Sequence, residues 1–533
     1  MYKWRYQNLL IICLLTSSFI WSSAQESPID TLQIYSKLTG DYEYYLHDRY
    51  NRLKVYIDDK TLMVDERGYP HLVMTPVHLD KLKFKAQDDR RHYTFQFQGK
   101  GEDTYCIWNT GSEDINCTPY SGKYIPVQLT EAELQADFRQ MRRILRENHP
   151  LLYEFTDSTT FSNIYEKQYS LILENISMEE FFRIAVPYVE RVGCSHTNLW
   201  MPEGWLSQPA NRYFPLKLRM INRKAYAANS SASIPPGSQV LSINGRKMSD
   251  IMNRIEDAIS ADGFNSNRKL RRMEKMFPFQ YTKQFGRCDS YSVRFLPPNS
   301  DEEEAINLQA VPFNAARQNI GGDSIRDFKI LKGNTTAVLT LNHFNYYRQI
   351  NTFIDFVDSV FQIIHVRCIQ NLILDLRDND GGDPFAAAHL FSYLLKKPAP
   401  YFSKSFGKYA RLAETIPLAE NRYHGNLYIL INGMCMSTTG HLCALLKYYN
   451  LGTFIGEETG ATYTCNDGKK YLHLKNTHIQ FWVATLTAAV AVEGMPKNRG
   501  ISPDHPVQPV IEDLINRNDT VMEYTLSLIA GNN

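Results

Sequence analysis

The sequence predicts a multidomain α+β chain: an N-terminal antiparallel β domain, a helical segment, a second small β module and a C-terminal α/β core. Three observations carry this. The chain has 533 residues, too many for one hydrophobic core. Between Ile34 and about Thr118, short segments such as Leu53–Ile57 and Tyr93–Phe97 alternate apolar and polar side chains between polar turns. That period of two is the pattern of a sheet with one wet face. Over roughly the last 210 residues, apolar strand-like runs alternate with helical patterns, as layered α/β domains require.

Residues 1–24 read as a cleaved export signal: Lys3 and Arg5, an apolar stretch from Leu9 to Trp21, then small residues at Ser22 and Ala24 before Gln25. A retained membrane anchor is the alternative. It is disfavoured because the stretch is short and holds Thr16, Ser17 and Ser18. Leu10-Ile-Ile-Cys13 imitates a lipoprotein box, but the apolar stretch continues past Cys13. The expected location is therefore outside the cytoplasm: periplasmic, secreted or on the outer surface, with no membrane span once the signal is removed.

Charge excludes little and suggests nothing extreme. Lys and Arg total 58 against 57 Asp and Glu, so bulk electrostatics give no attraction to nucleic acid or an anionic membrane. Tyr is abundant at 33 residues, which suits recognition surfaces without specifying one. Of nine cysteines, Cys13 lies in the signal. The rest form no Cys-x-x-Cys pair, and no His-Glu-x-x-His exists, so no metal site or other cofactor is expected. Cys106 and Cys117 flank Gly111-Ser-Glu-Asp114, a turn between strands, and could be bridged in an oxidising compartment. Cys368, Cys435 and Cys443 have apolar neighbours and read as buried thiols.

The domain boundaries follow the pattern changes. The β domain occupies 25–125. Residues 126–205 are helical: Thr130 and Glu133 form a capping box, and Leu134, Phe138, Met141 and Leu145 follow at helical spacing until His149-Pro150. Ser177 and Glu180 repeat the capping box before Phe181–Val186. The segment ends in Val192-Gly-Cys-Ser-His-Thr-Asn-Leu199, which places Ser195 and His196 in a polar cluster between apolar runs. Residues 206–320 form a module whose Asn244-Gly245 pair predicts a type I′ hairpin after Val240–Ile243. Within it, Lys269-Leu-Arg-Arg-Met-Glu-Lys275 reads as a solvated basic helical insertion, and Pro297-Pro298 with Asp301–Glu304 as a loop.

The core, 321–533, carries β-like runs at Ala337–Leu341, Leu372–Leu376, Tyr428–Ile431 and Thr453–Ile455, with helices expected at 350–364, 384–396 and 438–449. Two of these strands end in chemistry. Asn371–Leu376 runs into Arg-Asp-Asn-Asp-Gly-Gly382, and Leu427–Ile431 runs into Asn-Gly-Met-Cys-Met-Ser437 at a helix N-terminus. A serine hydroxyl beside a Gly-Gly turn, among unpaired helical N–H groups, suggests a nucleophile facing an oxyanion hole. Asp375, Arg377, Asp378 and Asp380 read as strand-end ion pairs and turn formers. Glu457 and Glu458 read as loop-structuring, and His441 as a helix-face residue. No Gly-x-Ser-x-Gly elbow is present, which disfavours an α/β-hydrolase esterase.

Taken in order, these phrases with Gly456-Glu-Glu-Thr-Gly460 and Gly500-Ile-Ser-Pro-Asp504 resemble the tail-specific, or C-terminal processing, serine peptidases and their tricorn-core relatives, over about 128–510. The resemblance implies a crotonase-like (ClpP/crotonase) α/β core, a PDZ-like module at 206–320, and peptide hydrolysis through an acyl-enzyme. It implies a peptide or protein substrate and leaves the oligomeric state open. Where the processing peptidases carry a lysine base this chain has Thr462, so the tricorn-like Ser-His version is the one expected: Ser437 as nucleophile, His196 as base, Ser195 linking it to an acid, and the N–H groups of Gly382 and Thr438 as oxyanion hole. Relatives supply that acid as a Glu at the position of Lys497, so Glu493 is the expected substitute. The family's nucleophile turn also carries a Glu where this chain has Gly440. These departures leave a peptide- or ligand-binding protein without turnover as the alternative function.

Overall fold

The computed structural model describes residues 31–531 apart from 67–70, 88–91, 100–103, 111–113, 121–123, 125, 127, 229–233, 319–325 and 348. The export-signal reading lies outside the described residues, as do residues 111–113 of the turn between Cys106 and Cys117. Among the described residues, no helix is long and apolar enough to cross a membrane.

The chain divides into two compact units, residues 1–44 with 51–120, and 45–50 with 121–533. The first unit is built on a nine-stranded sheet of antiparallel pairs. Its strands alternate as the sequence predicts: in His92–Gln98 the residues Tyr93, Phe95 and Phe97 are buried and those between are not. Cys106 and Cys117 are directly opposite each other on neighbouring strands. Both are buried.

The second unit opens with three helices, α1 (Glu131–Asn148), α2 (Ser158–Tyr169) and α3 (Met178–Glu190). Both expected capping boxes form, Thr130 with Glu133 and Ser177 with Glu180. The apolar stripe of α1 packs with Phe181, Phe182 and Tyr188 of α3. One polar side chain sits inside this layer. Asp137 is buried and accepts the backbone N–H groups of Asn476 and Thr477 at 3.0 and 2.7 Å. That fixes the loop leading to strand Gln480–Val483, which pairs antiparallel with Asn198–Trp200 just after His196.

Residues 206–318 form an antiparallel sheet in the order 218–221, 224–227, 239–243, 290–296, 304–309. The hairpin at Asn244-Gly245 has φ of 50° and 75°, positive at both positions as a type I′ turn demands. Helices α4 (Met248–Glu256) and α5 (Ser266–Phe285) cover the sheet. Here the basic run is helical as read but not solvated. The basic run 269–275 lies within α5, and Arg271 is buried, bound to Glu274 and Glu457. Helix α5 bends at Met276, two residues before Pro278, where the proline ring removes a hydrogen bond and crowds the preceding turn.

The core sheet has the order β1 (Arg326–Ile330), β2 (Thr336–Leu341), β3 (Asn371–Asp375), β4 (Asn426–Ile431), β5 (Thr453–Gly456), β6 (His505–Pro506). The β1–β2 pair is antiparallel and every later pair parallel. Helices α6 (Ile350–Val366), α7 (Pro384–Leu394) and α8 (Thr438–Tyr448) pack on one face. On the other, Val521 and Ile529 of α9 (Thr520–Gly531) meet Val338, Ile373, Tyr428, Leu430 and Ile455. Burial of both faces explains why the strands read as near-continuous apolar runs. Arg377 ties the C-terminal helix to the sheet: its guanidinium donates to Asp375 at the end of β3 and, at 2.7 Å twice, to Asp519 before α9.

Candidate active site

Adjacent parallel strands β3 and β4 deliver the Gly-Gly turn and Ser437 side by side. Ser437 caps α8 with φ 50° and ψ −123°, a conformation that is strained for a residue with a Cβ. The surroundings hold it there. The Met436 N–H donates to Asn379 C=O at 3.1 Å, the His441 N–H to Ser437 C=O at 3.0 Å, and the Thr438 hydroxyl to Gly382 C=O at 2.6 Å. Asn379 is fully buried and does the rest, accepting the Gly381 N–H and the Thr439 hydroxyl while donating to Leu341 C=O.

Both glycines are sterically required. A Cβ on Gly381 would lie 2.9 Å from the Ser437 Cβ, and one on Gly382 would lie 2.1 Å from the Phe344 carbonyl carbon. The bridge between Phe344 and Gly382 uses the Gly381 C=O and the Asp383 N–H, which leaves the Gly382 N–H outside it. The Thr438 N–H is the first of α8 and has no intrahelical acceptor.

Ser195 and His196 lie on the segment between α3 and strand Asn198–Trp200. The Ser195 Oγ is 3.4 Å from His196 Nδ1 and 2.8 Å from Asp262 Oδ1. The Ser195 N–H donates to the same Asp262 oxygen at 2.8 Å. Asp262 Oδ2 is buried without a partner. His196 Nε2 is 3.9 Å from Asp467 Oδ1. His196 and Ser437 are both largely shielded, 8 and 9 % exposed. Among the described residues no hydrogen bond joins them; instead a single cavity is lined by Ser195, His196, Asp380 and Met436.

The acid is a correction to the sequence reading. Glu493 is exposed and makes no hydrogen bond or ion pair to Ser195 or His196. Asp262 takes that place because the turn it begins is wedged between two backbones: the Gly263 N–H donates to Gly193 C=O, the Phe264 N–H to Asn498 C=O, and a Cβ on Gly263 would lie 2.8 Å from Asn498 Cα. Lys497 points elsewhere, 4.0 Å from Glu154. Gly440 likewise has no room for a carboxylate, since its Cβ would sit 2.7 Å from that of Ala461. Thr462 is buried and donates to Pro496 C=O.

His441 is buried one turn into α8, with Nε2 3.4 Å from Cys465 Sγ and Nδ1 unpartnered. Burial pushes its pKa down to about 4, so it is neutral near pH 7. Asp375 pairs with Arg377 and Asp380 with Arg268, at 2.7 and 2.8 Å, and Glu458 with Arg499, in structural roles as expected.

A strained serine at a helix N-terminus, facing a glycine turn across two parallel strands, defines a serine peptidase core. Residues 335–507 match the model of peptidase family S41. No curated protein matches the sequence. Among solved structures, mature CPAF is similar at TM-score 0.55 and 11% identity over 74% of this chain and 95% of that one. CPAF complexed with lactacystin gives 0.56 and 12% over 75% and 97%. The photosystem II D1 C-terminal processing protease gives 0.40 and 14% over 72% and 96%. At such identities the CPAF likeness bears on the fold alone.

Proposed function

We propose that the chain is an exported peptidase that cleaves unstructured or C-terminal peptide segments through an acyl-enzyme on Ser437. The observation that carries this reading is the Ser195 hydroxyl, held by Asp262 against His196 on the wall of the cavity that reaches Met436 beside the nucleophile. With its one proton given to Asp262, Ser195 Oγ accepts from His196 Nδ1–H. The imidazole then keeps its basic lone pair on Nε2.

In the reaction, Ser437 Oγ attacks the scissile carbonyl and its proton passes to His196 Nε2. The tetrahedral oxyanion is received by the N–H groups of Gly382 and Thr438, each such donor being typically worth about 10²- to 10³-fold in rate. His196 returns the proton to the leaving amine. A water then hydrolyses the ester with His196 again as base. His196 Nε2 must turn from Asp467 to Ser437 when substrate is bound, as catalytic hydrogen bonds often tighten only in the complex. In this reading the core is crotonase-like and residues 206–320 are a PDZ-like peptide module.

The test is fluorophosphonate labelling of the mature chain from Gln25, wild type against Ser437→Ala and His196→Ala. Labelling of the wild type and its loss in both variants is the expected result. A folded wild type that does not label would overturn the mechanism.

A further inference from the structure

We propose that the cavity beside Ser195, His196 and Met436 is a specificity pocket for a substrate carboxylate, received between Arg272 and Lys283. This rests on the peptidase reading of the site. The cavity is lined by four basic side chains, Arg268, Arg272, Lys283 and Lys469, against two carboxyl groups, Asp380 and Glu190. Their partners are unevenly shared. Arg268 takes Asp380 at 2.8 Å, and Arg272 is only within 4.0 Å of that same carboxylate, which leaves most of its five N–H donors unspent.

Lys283 is 9 % exposed. Its ammonium rests 5.8 Å from the ring centres of Phe182 and Trp200, and among the described residues it forms no hydrogen bond or ion pair. Gln280, 7 % exposed, presents an unpartnered Oε1 to the same space, and Glu190 an unpartnered Oε2. Burial raises the Glu190 carboxyl to about 8, so at neutral pH it offers an O–H donor rather than a compensating charge. Burial and the neighbouring Arg272 lower Lys283 to about 7, Glu190 opposing them.

The result is a largely buried cavity rich in donors, with more basic than acidic side chains in its lining. An incoming carboxylate satisfies Arg272, Lys283 and the Glu190 proton together, and buried cations gain most from being paired. A lysine or arginine side chain would add repulsion, and an apolar one would leave the donors dry and unmade. The floor is aromatic: the Trp200 and Trp482 rings lie 5.1 Å apart, tilted by 41°, with Arg272 and Lys469 each 5.7 Å from a ring centre. Because the wall carries Ser195, His196 and Met436, the bound group belongs to a residue near the scissile bond. It is either an Asp or Glu side chain or the end of the substrate chain.

The experiment measures kcat/KM of the full chain on matched peptides carrying Glu, Gln or Lys at each position flanking the cleaved bond, each with a free or an amidated C-terminus. We expect a preference of about 10-fold or more for the acid over its amide. If it follows the side chain the acidic residue is the ligand; if it follows the terminus the terminal carboxylate is. In Arg272→Gln and in Lys283→Gln the acid-to-amide ratio should fall towards unity, and Arg272→Lys should restore part of it. Equal turnover of acid and amide, or a preference that survives both Gln variants, overturns the pocket. Fluorophosphonate labelling runs alongside: a wild type that labels but shows no preference sinks the pocket alone, and one that neither labels nor cleaves sinks the peptidase reading with it.

Discussion

Asp262 is 67 positions from Ser195, and nothing local in the sequence marks it beyond an Asp-Gly turn signal that most loops share. The local settings of Ser437, His196, Ser195 and Gly382 were legible because each stands in a short phrase whose geometry follows from neighbours: a strand, a small-residue turn, a helix start. The acid was not, since its position is set by backbone wedging between Gly193 and Asn498. The consequence is testable by kinetics. Asp262→Ala should lower kcat by about 10²-fold or more, as loss of the residue orienting a catalytic histidine does, while Glu493→Gln stays within about 2-fold. A large loss in Glu493→Gln would restore the sequence reading. Two buried histidines belong to the same scale. Burial lowers His149 and His441 each to about 4 from the usual 6.5. The unfolded chain therefore takes up their protons first as pH falls, so the stability they hold is full above about 6.5 and lost between there and 4. Urea titrations should show a decline of up to roughly 3 kcal/mol per histidine over that window, reduced in His149→Phe.

Helix α5 shows why charge patterns mislead at the scale of an element. Its basic run looks solvated because Glu457, which pairs with Arg271 alongside the local Glu274, lies 186 positions away, as Asp380 lies 112 positions from Arg268 just before the run. Sequence displays a charge but not the opposite charge that permits burial. Arg271 joins α5 to the core through Glu457, and two further contacts tie the helix to its own sheet. Glu274 accepts the Met220 N–H and Arg271 donates to the Met220 C=O, so helix α5 caps Met220 on the edge strand Leu218–Ile221. Removing one member of a buried ion pair is costly because the other stays charged. Arg271→Met should thus cost about 3–5 kcal/mol in denaturant unfolding, and the double variant Arg271→Met/Glu457→Met distinctly less. Equal losses would mean the pair contributes packing alone. In the N-terminal unit, the facing thiols Cys106 and Cys117 give a compartment test. Peptide mapping of protein made in an oxidising compartment should return them joined; two free thiols there would count against export.

Across the whole molecule strands β2 to β5 and the helices between them were legible as alternating apolar runs and helical patterns, because strands covered on both faces leave a strong signal; their parallel order is the structure's. The pairing of Asn198–Trp200 with Gln480–Val483, and Asp137 beneath it, had no such signal: both join segments whose proximity only the folded chain creates. The Arg377 clasp on Asp519 has the same character. Asp519→Ala should free α9 and lower the unfolding midpoint, with faster hydrogen exchange in β3 and β4 beneath it; unchanged exchange would show that the apolar face of α9 suffices.

The order of these parts along the chain has a consequence in time. A ribosome releases His196 first, then Asp262, the Gly-Gly turn, Ser437 and last the Asp519 clasp. Domains close as they emerge, so on the proposed mechanism a growing chain carries the base, the acid and half the oxyanion cradle before it has the hydroxyl they would act on. On the proposed mechanism no hydroxyl is available for activation until Ser437 emerges, and the Asp519 clasp can close only after that.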